Sequence, residues 1–324
     1  MTVQRRKFLQ LGWAAVALPA LQNRASAQAY PTRPITMIVP LAAGGPTDAI
    51  GRVLAERMRR SLGQPIIIEN ITGADGSIGV GRAGRARPDG YTIVLGAIGT
   101  HVLSGAFYSL QYDVLNDFAP VAALGTVPNI LLSRKTMPAK DLWELIAWLK
   151  GNKASVAVGA PGPRLLAAFF EKETGTQFSI VPYRGGAPAA QDLVAGQIDL
   201  AFGAGDSLPL MQAGSIRAYA VASDTRFALT RDIPTFAEMG LPALSFSSWF
   251  GLFAPRSTSK DTIGKLNAAT VEALADPAVR SPLTKLGFEV FPHEQQTPEA
   301  LASRQKADAA KWWPIIKELG IKAE

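Results

Sequence analysis

Val39-Pro40-Leu41-Ala42-Ala43-Gly44-Gly45-Pro46-Thr47-Asp48 is the stretch on which the fold turns. Pro34 to Val39 is a β-branched strand run, and the chain then bends through small residues. From Thr47 to Leu62 the apolar residues Ile50, Val53, Leu54 and Met58 fall at helical spacing. The same strand-then-turn pattern recurs at Ile66–Glu69, Tyr91–Leu95 (after the turn Pro88-Asp89-Gly90), Val121–Leu124, Ser155–Val158, Phe178–Val181, Ile198–Phe202 and Ile216–Ala222. Helices are predicted at Asp141–Lys150, Lys260–Ala275 and Pro298–Leu319, the last carrying Trp312-Trp313 and a kink at Pro314. Strands alternating with helices predict an α/β protein with mostly parallel sheets.

The opening stretch also reads as chemistry. Glycines leave backbone N–H groups uncovered, and a helix start adds unsatisfied donors and partial positive charge. Together they can hold a carboxylate or phosphate without a cationic side chain. An equally good local reading is a tight turn with Asp48 as helix cap. Four more small-residue loops end predicted strands: Gly96–Thr100, Gly159–Arg164, Tyr183–Pro188 and Gly203–Ser207. In open α/β sheets ligands collect outside the carboxyl ends of strands, so five such loops predict a shared cleft or, failing that, five unrelated turns. Arg164 and Arg184 lie within two of them and could grip an acid bidentately. No Gly/Ser linker occurs, so the chain is expected to cross twice between lobes, near 121–130 and 232–249. That divides it into 28–123 plus 232–324 as one discontinuous lobe and 124–231 as an inserted one.

The chain has 324 residues, 30 Gly, 23 Pro, two His and no Cys. Without Cys there is no disulfide frame, zinc ribbon, iron–sulfur cluster or thiol nucleophile, and His101 and His293 leave little for a metal site; no cofactor or metal is expected. The formal charge is +7, but Arg5, Arg6, Lys7 and Arg24 fall in the first 27 residues, which hold no acid, leaving +3. No basic block stands out, which argues against nucleic-acid binding. Residues 1–27 read as an export signal. Arg5-Arg6-Lys7 precedes an apolar run from Phe8 to Leu21, and Ala25-Ser26-Ala27 offers a cleavage site after Ala27. The paired arginines suggest the twin-arginine type, which places the mature protein in the periplasm.

Enzyme signatures mostly fail. Gly79-Val80-Gly81-Arg82-Ala83-Gly84 fits a dinucleotide fingerprint in letters only, because no strand precedes it; a packing face on a helix is the better reading. There is no G-x-S-x-G, H-E-x-x-H or P-loop. An exported hydrolase or isomerase would have to use His101, which lies in a candidate cleft loop. Trp249-Phe250 could wall a ligand or belong to a core or crossing strand.

The chain resembles the solute-binding (Bug-type) receptors of tripartite tricarboxylate transporters, from Tyr30 to the C-terminus. The resemblance is carried by Tyr30-Pro31-x-x-Pro34-Ile35, the Gly44-Gly45-x-Thr47-Asp48 loop, Leu62-Gly63-Gln64-Pro65-x-x-x-Glu69-Asn70 and Pro88-Asp89-Gly90-Tyr91. It continues through Val181-Pro182-Tyr183-x-Gly185-x-Ala187-Pro188, Leu193-x-x-Gly196-Gln197-Ile198-Asp199 and Ser248-Trp249-Phe250-Gly251-Leu252. It implies a type II periplasmic-binding-protein fold, two doubly wound lobes with a ligand cleft and hinge crossings. It also implies a non-enzymatic receptor, expected to be a monomer, that delivers a small organic anion to membrane permease subunits; some members of the family inform a sensor instead. The expected ligand-binding residues are Leu41, Ala42, Ala43, Gly44, Gly45, Thr47, Asp48, Gly99, Thr100, Ala160, Gly162, Arg164, Arg184, Gly185, Gly186, Ala187, Gly203 and Asp206. Leu41, Pro46, Ala160-Pro161-Gly162-Pro163-Arg164 and Gly203 depart from the family pattern. Because these departures fall in the pocket, an unusual ligand for the family is expected.

Overall fold

The computed structural model describes residues 30–204, 207–223 and 225–321. The expected export signal and Asp206 therefore lie outside the described residues. Along the chain run β1 (Ile35–Val39), α1 (Pro46–Leu62), β2 (Ile66–Asn70), α2 (Ser77–Gly84) and β3 (Thr92–Ala97). A π-helical turn (Gly99–Leu103) leads into α3 (Ser104–Phe107), followed by β4 (Phe118–Arg134), α4 (Leu142–Gly151), β5 (Ala154–Val158), α5 (Pro161–Thr174) and β6 (Phe178–Pro182). Then come α6 (Gly186–Ala195), β7 (Leu200–Gly203), α7 (Leu208–Gln212), β8 (Ile216–Ala222) and β9 (Ser247–Pro255). The chain ends with α8 (Lys260–Ala275), α9 (Pro277–Lys285), β10 (Glu289–Val290) and α10 (Pro298–Glu318).

The strand order is β2-β1-β3-β9-β4-β7-β5-β6, with β8 and β10 also paired to β4. β1, β2 and β3 pair in parallel, as do β7, β5 and β6. Every pairing of β4 and β9 is antiparallel, so the sheets are mixed rather than mostly parallel. The cause is β4. Its first part, Phe118–Pro128, lies beside β9, and Asn129–Arg134 lies beside β8, with β7 on Ile130–Ser133. One long strand thus belongs to two sheets, and the chain enters the second lobe at Pro128–Asn129, later than the sequence division at 123. It returns at Phe246–Ser247 rather than at 231, because Phe236 packs its ring edge-on to Phe170 of α5 at 6.3 Å and anchors that segment to the second lobe.

Each lobe has an apolar cluster of its own, and a larger one runs across both lobes. In the first, α1 lays Ile50, Leu54 and Met58 on the sheet beside Met37 and Leu95, all fully buried; each such side chain contributes about 1.5–3 kcal/mol. α1 begins with Pro46, whose fixed φ and missing N–H suit a first helical position. It ends at Gly63, whose φ of 67° closes the helix in the left-handed region. In the second lobe, Leu132, Ala157, Leu193 and Ala201 belong to a smaller cluster between the sheet and α6. α10 bridges the lobes: Trp313 Nε1 donates to the Val102 carbonyl of the first, and Trp312 packs on Phe169 and Phe246 of the second. Among the described residues no helix is long and apolar enough to cross a membrane.

Candidate ligand-binding site

A cavity of about 120 Å³ lies between the lobes. It is built where helices begin: α1, the π-turn, α5 and α6 all start at its edge, each following a strand. The sequence segments read as loops at 159–164 and 183–188 are therefore largely helix N-termini, with proline at the start of α5. The lobes approach closely enough that only small residues fit. A Cβ on Gly99 would stand 3.2 Å from Pro161 Cδ and 3.6 Å from the Gly162 nitrogen. A Cβ on Gly185 would stand 3.2 Å from the Ala42 nitrogen. At the rim the Ala42 N–H donates to the Arg184 carbonyl across the seam (3.1 Å), so the lobes are closed on one another.

Of the residues expected from sequence, Leu41, Thr47, Gly99, Thr100, Ala160, Gly162, Gly186 and Gly203 line the cavity. The glycine corner itself plays a different part from the one read in it. The Gly44 N–H donates to Asp48 Oδ2 (2.9 Å), and Gly44 adopts φ 81° to do so. Gly45 caps α1, and its N–H turns back to the Ala42 carbonyl. These amides hold the loop; Ala42 meets Gly185 and Gly44 approaches Ala187 across the seam, and none of these four, nor Ala43 or Gly45, belongs to the wall. Asp48 is nearly buried and turned onto its own loop, accepting from Gly44, Arg52 and Asn70. Burial pushes its carboxyl up, and those hydrogen bonds more than reverse this, holding it below the ordinary aspartate range. Asp48 is thus neither the helix cap nor part of the wall.

Neither arginine lines the cavity. Arg164 Nε reaches across the lobes to Asp75 Oδ2 (3.3 Å), with both side chains largely buried. Asp75 also accepts from the Tyr108 hydroxyl (2.7 Å) and sits in a left-handed turn at φ 51°. Burial and this bond to Asp75 raise the Tyr108 phenol well above its ordinary value. Arg164 therefore ties one lobe to the other. Arg184 is exposed and joins the seam through its carbonyl.

Donors come from elsewhere. Among the described residues, the N–H groups of Thr47, Gly162 and Gly186 have no protein acceptor, and all three residues line the cavity. The first turns of three helices thus bring unpaired amides to the border of one space. Two polar side chains missed in the sequence, Asn129 and Ser248, complete this side, with Asn129 Nδ2 donating to Ser248 Oγ (3.1 Å). Ser248 and Phe250 face the cavity, while Trp249, one residue between, turns its Nε1 to Asp308 (2.6 Å). Strand alternation decides which aromatic meets a ligand. The remaining wall is apolar: Val127, Leu132, Ala157, Ala189, Ala190, Leu193, Ala201 and Phe202.

His101 is sealed away from this space. Its ring is fully buried, stacked on Phe253 at 4.1 Å and edge-on to Phe118. Nδ1 meets the Thr100 hydroxyl (3.0 Å), and Nε2 has no partner. Burial pushes its pKa down to about 3. It is a neutral core residue, which corrects the reading of it as a catalytic base. Likewise Gly79 of the G-x-G-x-x-G string is a packing glycine: a Cβ there would stand 2.5 Å from the Ile71 carbonyl.

With this geometry in place, comparison with known proteins is informative. The family model for the tripartite tricarboxylate transporter family receptor matches residues 50–321. Protein BugT of Bordetella pertussis is 33% identical over 95% of this chain and 95% of its own. The structure of the periplasmic binding protein BugD superposes with a TM-score of 0.87 at 34% identity, covering 91% of this chain and all of that one. MatC of Rhodopseudomonas palustris, solved with bound malate, gives a TM-score of 0.86 at 37% identity, over 89% of this chain and all of that one. The family model describes a receptor, and BugD is a periplasmic binding protein. The fold, the interlobe cavity and the sequence match lead to one conclusion: this chain belongs to the receptor family of the tripartite tricarboxylate transporters.

Proposed function

We propose that this chain is a periplasmic receptor that closes its two lobes over a small organic carboxylate and hands it, unchanged, to permease subunits in the membrane. One observation carries the reading: three helix N-termini from both lobes bring unpaired amides to the border of a single cavity between the lobes, and its described wall bears no charged side chain. Such amides suit an anion that must later leave, because they bind without a fixed counter-charge. Malate bound to MatC is in keeping with this. The lobes divide where β4 and β9 cross, and closure of the monomer about those strands presents the surface that a permease would read. Residues 1–27 serve in this reading as the twin-arginine export signal, cleaved after Ala27.

A thermal scan of the protein against aliphatic and aromatic carboxylic acids tests this, followed by mass analysis of any acid that binds. A bound acid should raise the melting temperature with concentration as RT ln(1 + [L]/Kd) and be recovered intact. Conversion of the acid, or no response to any carboxylate, would contradict the proposal.

A further inference from the structure

The polar groups of the cavity gather where the two lobes meet, beside the apolar Leu41, Val127 and Phe250 of the first lobe. Thr47, Thr100 and Ser248 of the first lobe, the Asn129 amide at the crossing and the free Gly162 and Gly186 N–H groups form one polar end. The other end is a chamber inside the second lobe. Leu132 and Ala157 both pair with Ala201 in the strand register, so the three side chains share one sheet face. Ala189 and Leu193, one helical turn apart on α6, cover that face. Small residues at 157, 189 and 201 leave the room. Among the described residues the one polar side chain on that side, Ser207, is a neutral hydroxyl.

From this arrangement we infer that the ligand is a monocarboxylate with one compact apolar body, its carboxylate on the polar end and its body in the chamber. The inference rests on the carboxylate-receptor reading above and narrows it. Prolines thin the donors: Pro46 opens α1, and Pro161 and Pro163 flank Gly162, so these helix starts offer amides enough for one carboxylate. No cationic side chain among the described residues reaches the chamber, and the neighbouring Arg164 is committed to Asp75. A second carboxylate placed there would lose its hydration with nothing to replace it. An apolar body instead gains by leaving water. Dry apolar cavities of about 150 Å³ accept a benzene ring; the present cavity is smaller, about 120 Å³ with its polar end included, which keeps the body compact.

Isothermal calorimetry with the intact protein tests this, using benzoate and cyclohexanecarboxylate against malate and succinate. The monoacids are expected to bind at least roughly tenfold more tightly than the diacids. Ala190→Leu, on the half-buried face of α6 that lines the chamber, should weaken benzoate by about tenfold or more without lowering the melting temperature. Malate or succinate binding as tightly as the monoacids, or benzoate binding unmoved by Ala190→Leu, would overturn the inference while leaving the receptor reading in place. Failure of every acid to bind would overturn both.

Discussion

Gly99→Leu is expected to abolish carboxylate capture, with a loss of at least about 100-fold in affinity, roughly 2.7 kcal/mol, while leaving the protein folded. Gly99 has helical backbone angles, so a side chain costs it no strain, and leucine is the better helix former by about 0.5–1 kcal/mol. What forbids it is the other lobe. Its Cβ would already stand 3.2 Å from Pro161 Cδ, and the rest of the side chain would run into the first turn of α5, over the Gly162 N–H. The open form has room for it and the closed form does not. Gly99→Ala should fall between, since its Cβ fits with a shift of a few tenths of an ångström. Titration calorimetry and a thermal scan of the unliganded variants check both halves of the statement. A Gly99→Leu protein that binds within threefold of the parent would show that closure across this seam is not needed for capture.

The second large effect is on stability, at His101. An imidazole held at a pKa of about 3 stays neutral in the folded protein when the unfolded chain, near 6.5, takes a proton. Between those values the unfolded state binds more protons, so stability rises with pH from about 3 to 6.5, is fully present above that range and is lost on acidification. From pH 7 to pH 4 this amounts to about 3 kcal/mol. His101→Phe keeps the stack on Phe253 and removes the titrating group. Its chemical-denaturation stability should therefore fall by about 3 kcal/mol less than the parent's over that pH range. Equal pH dependence in the two proteins would contradict the burial argument.

Much of the framework could be read from residues. The runs at Ile35–Val39, Ala154–Val158 and Ile216–Ala222 are strands because β-branched and alanine residues there meet buried faces, while Ile66–Asn70 is a β-branched edge strand with no fully buried residue. α8 and α10 lie within a residue of their sequence limits because Ser259 and Thr297 cap them with their side chains. β4 was legible only in part. Pro120, Gly125 and Pro128 interrupt its apolar pattern, yet the strand continues through them with register shifts between Pro120 and Ala122 and between Ala123 and Gly125. Single-strand periodicity cannot reveal a strand that changes sheets midway. That one feature displaced the first expected lobe boundary and put antiparallel pairs at the centre.

The site was legible as a place but not as a mechanism. Small residues after strands marked where the lobes meet, yet glycine composition does not say whether an N–H points to a ligand or to its own loop; the Asp48 carboxylate claims the Gly44 amide. Charge was misleading in the same way. Arg164 stands beside the cavity in sequence, and its partner, Asp75, lies far away along the chain. The apolar wall was unreadable because Leu132, Ala157, Leu193 and Ala201 have the pattern of ordinary core residues. Only the sheet register and α6 together show that they enclose space.

The account depends on backbone amides of the two lobes meeting the same carboxylate, and amide chemical shifts report on that contact directly. In a ¹⁵N-labelled sample titrated with an acid that stabilises the protein, the Thr47, Gly162 and Gly186 signals should move together, along one saturation curve. Shifts confined to the surroundings of Arg184 or Arg164, with those three amides unmoved at saturation, would contradict it.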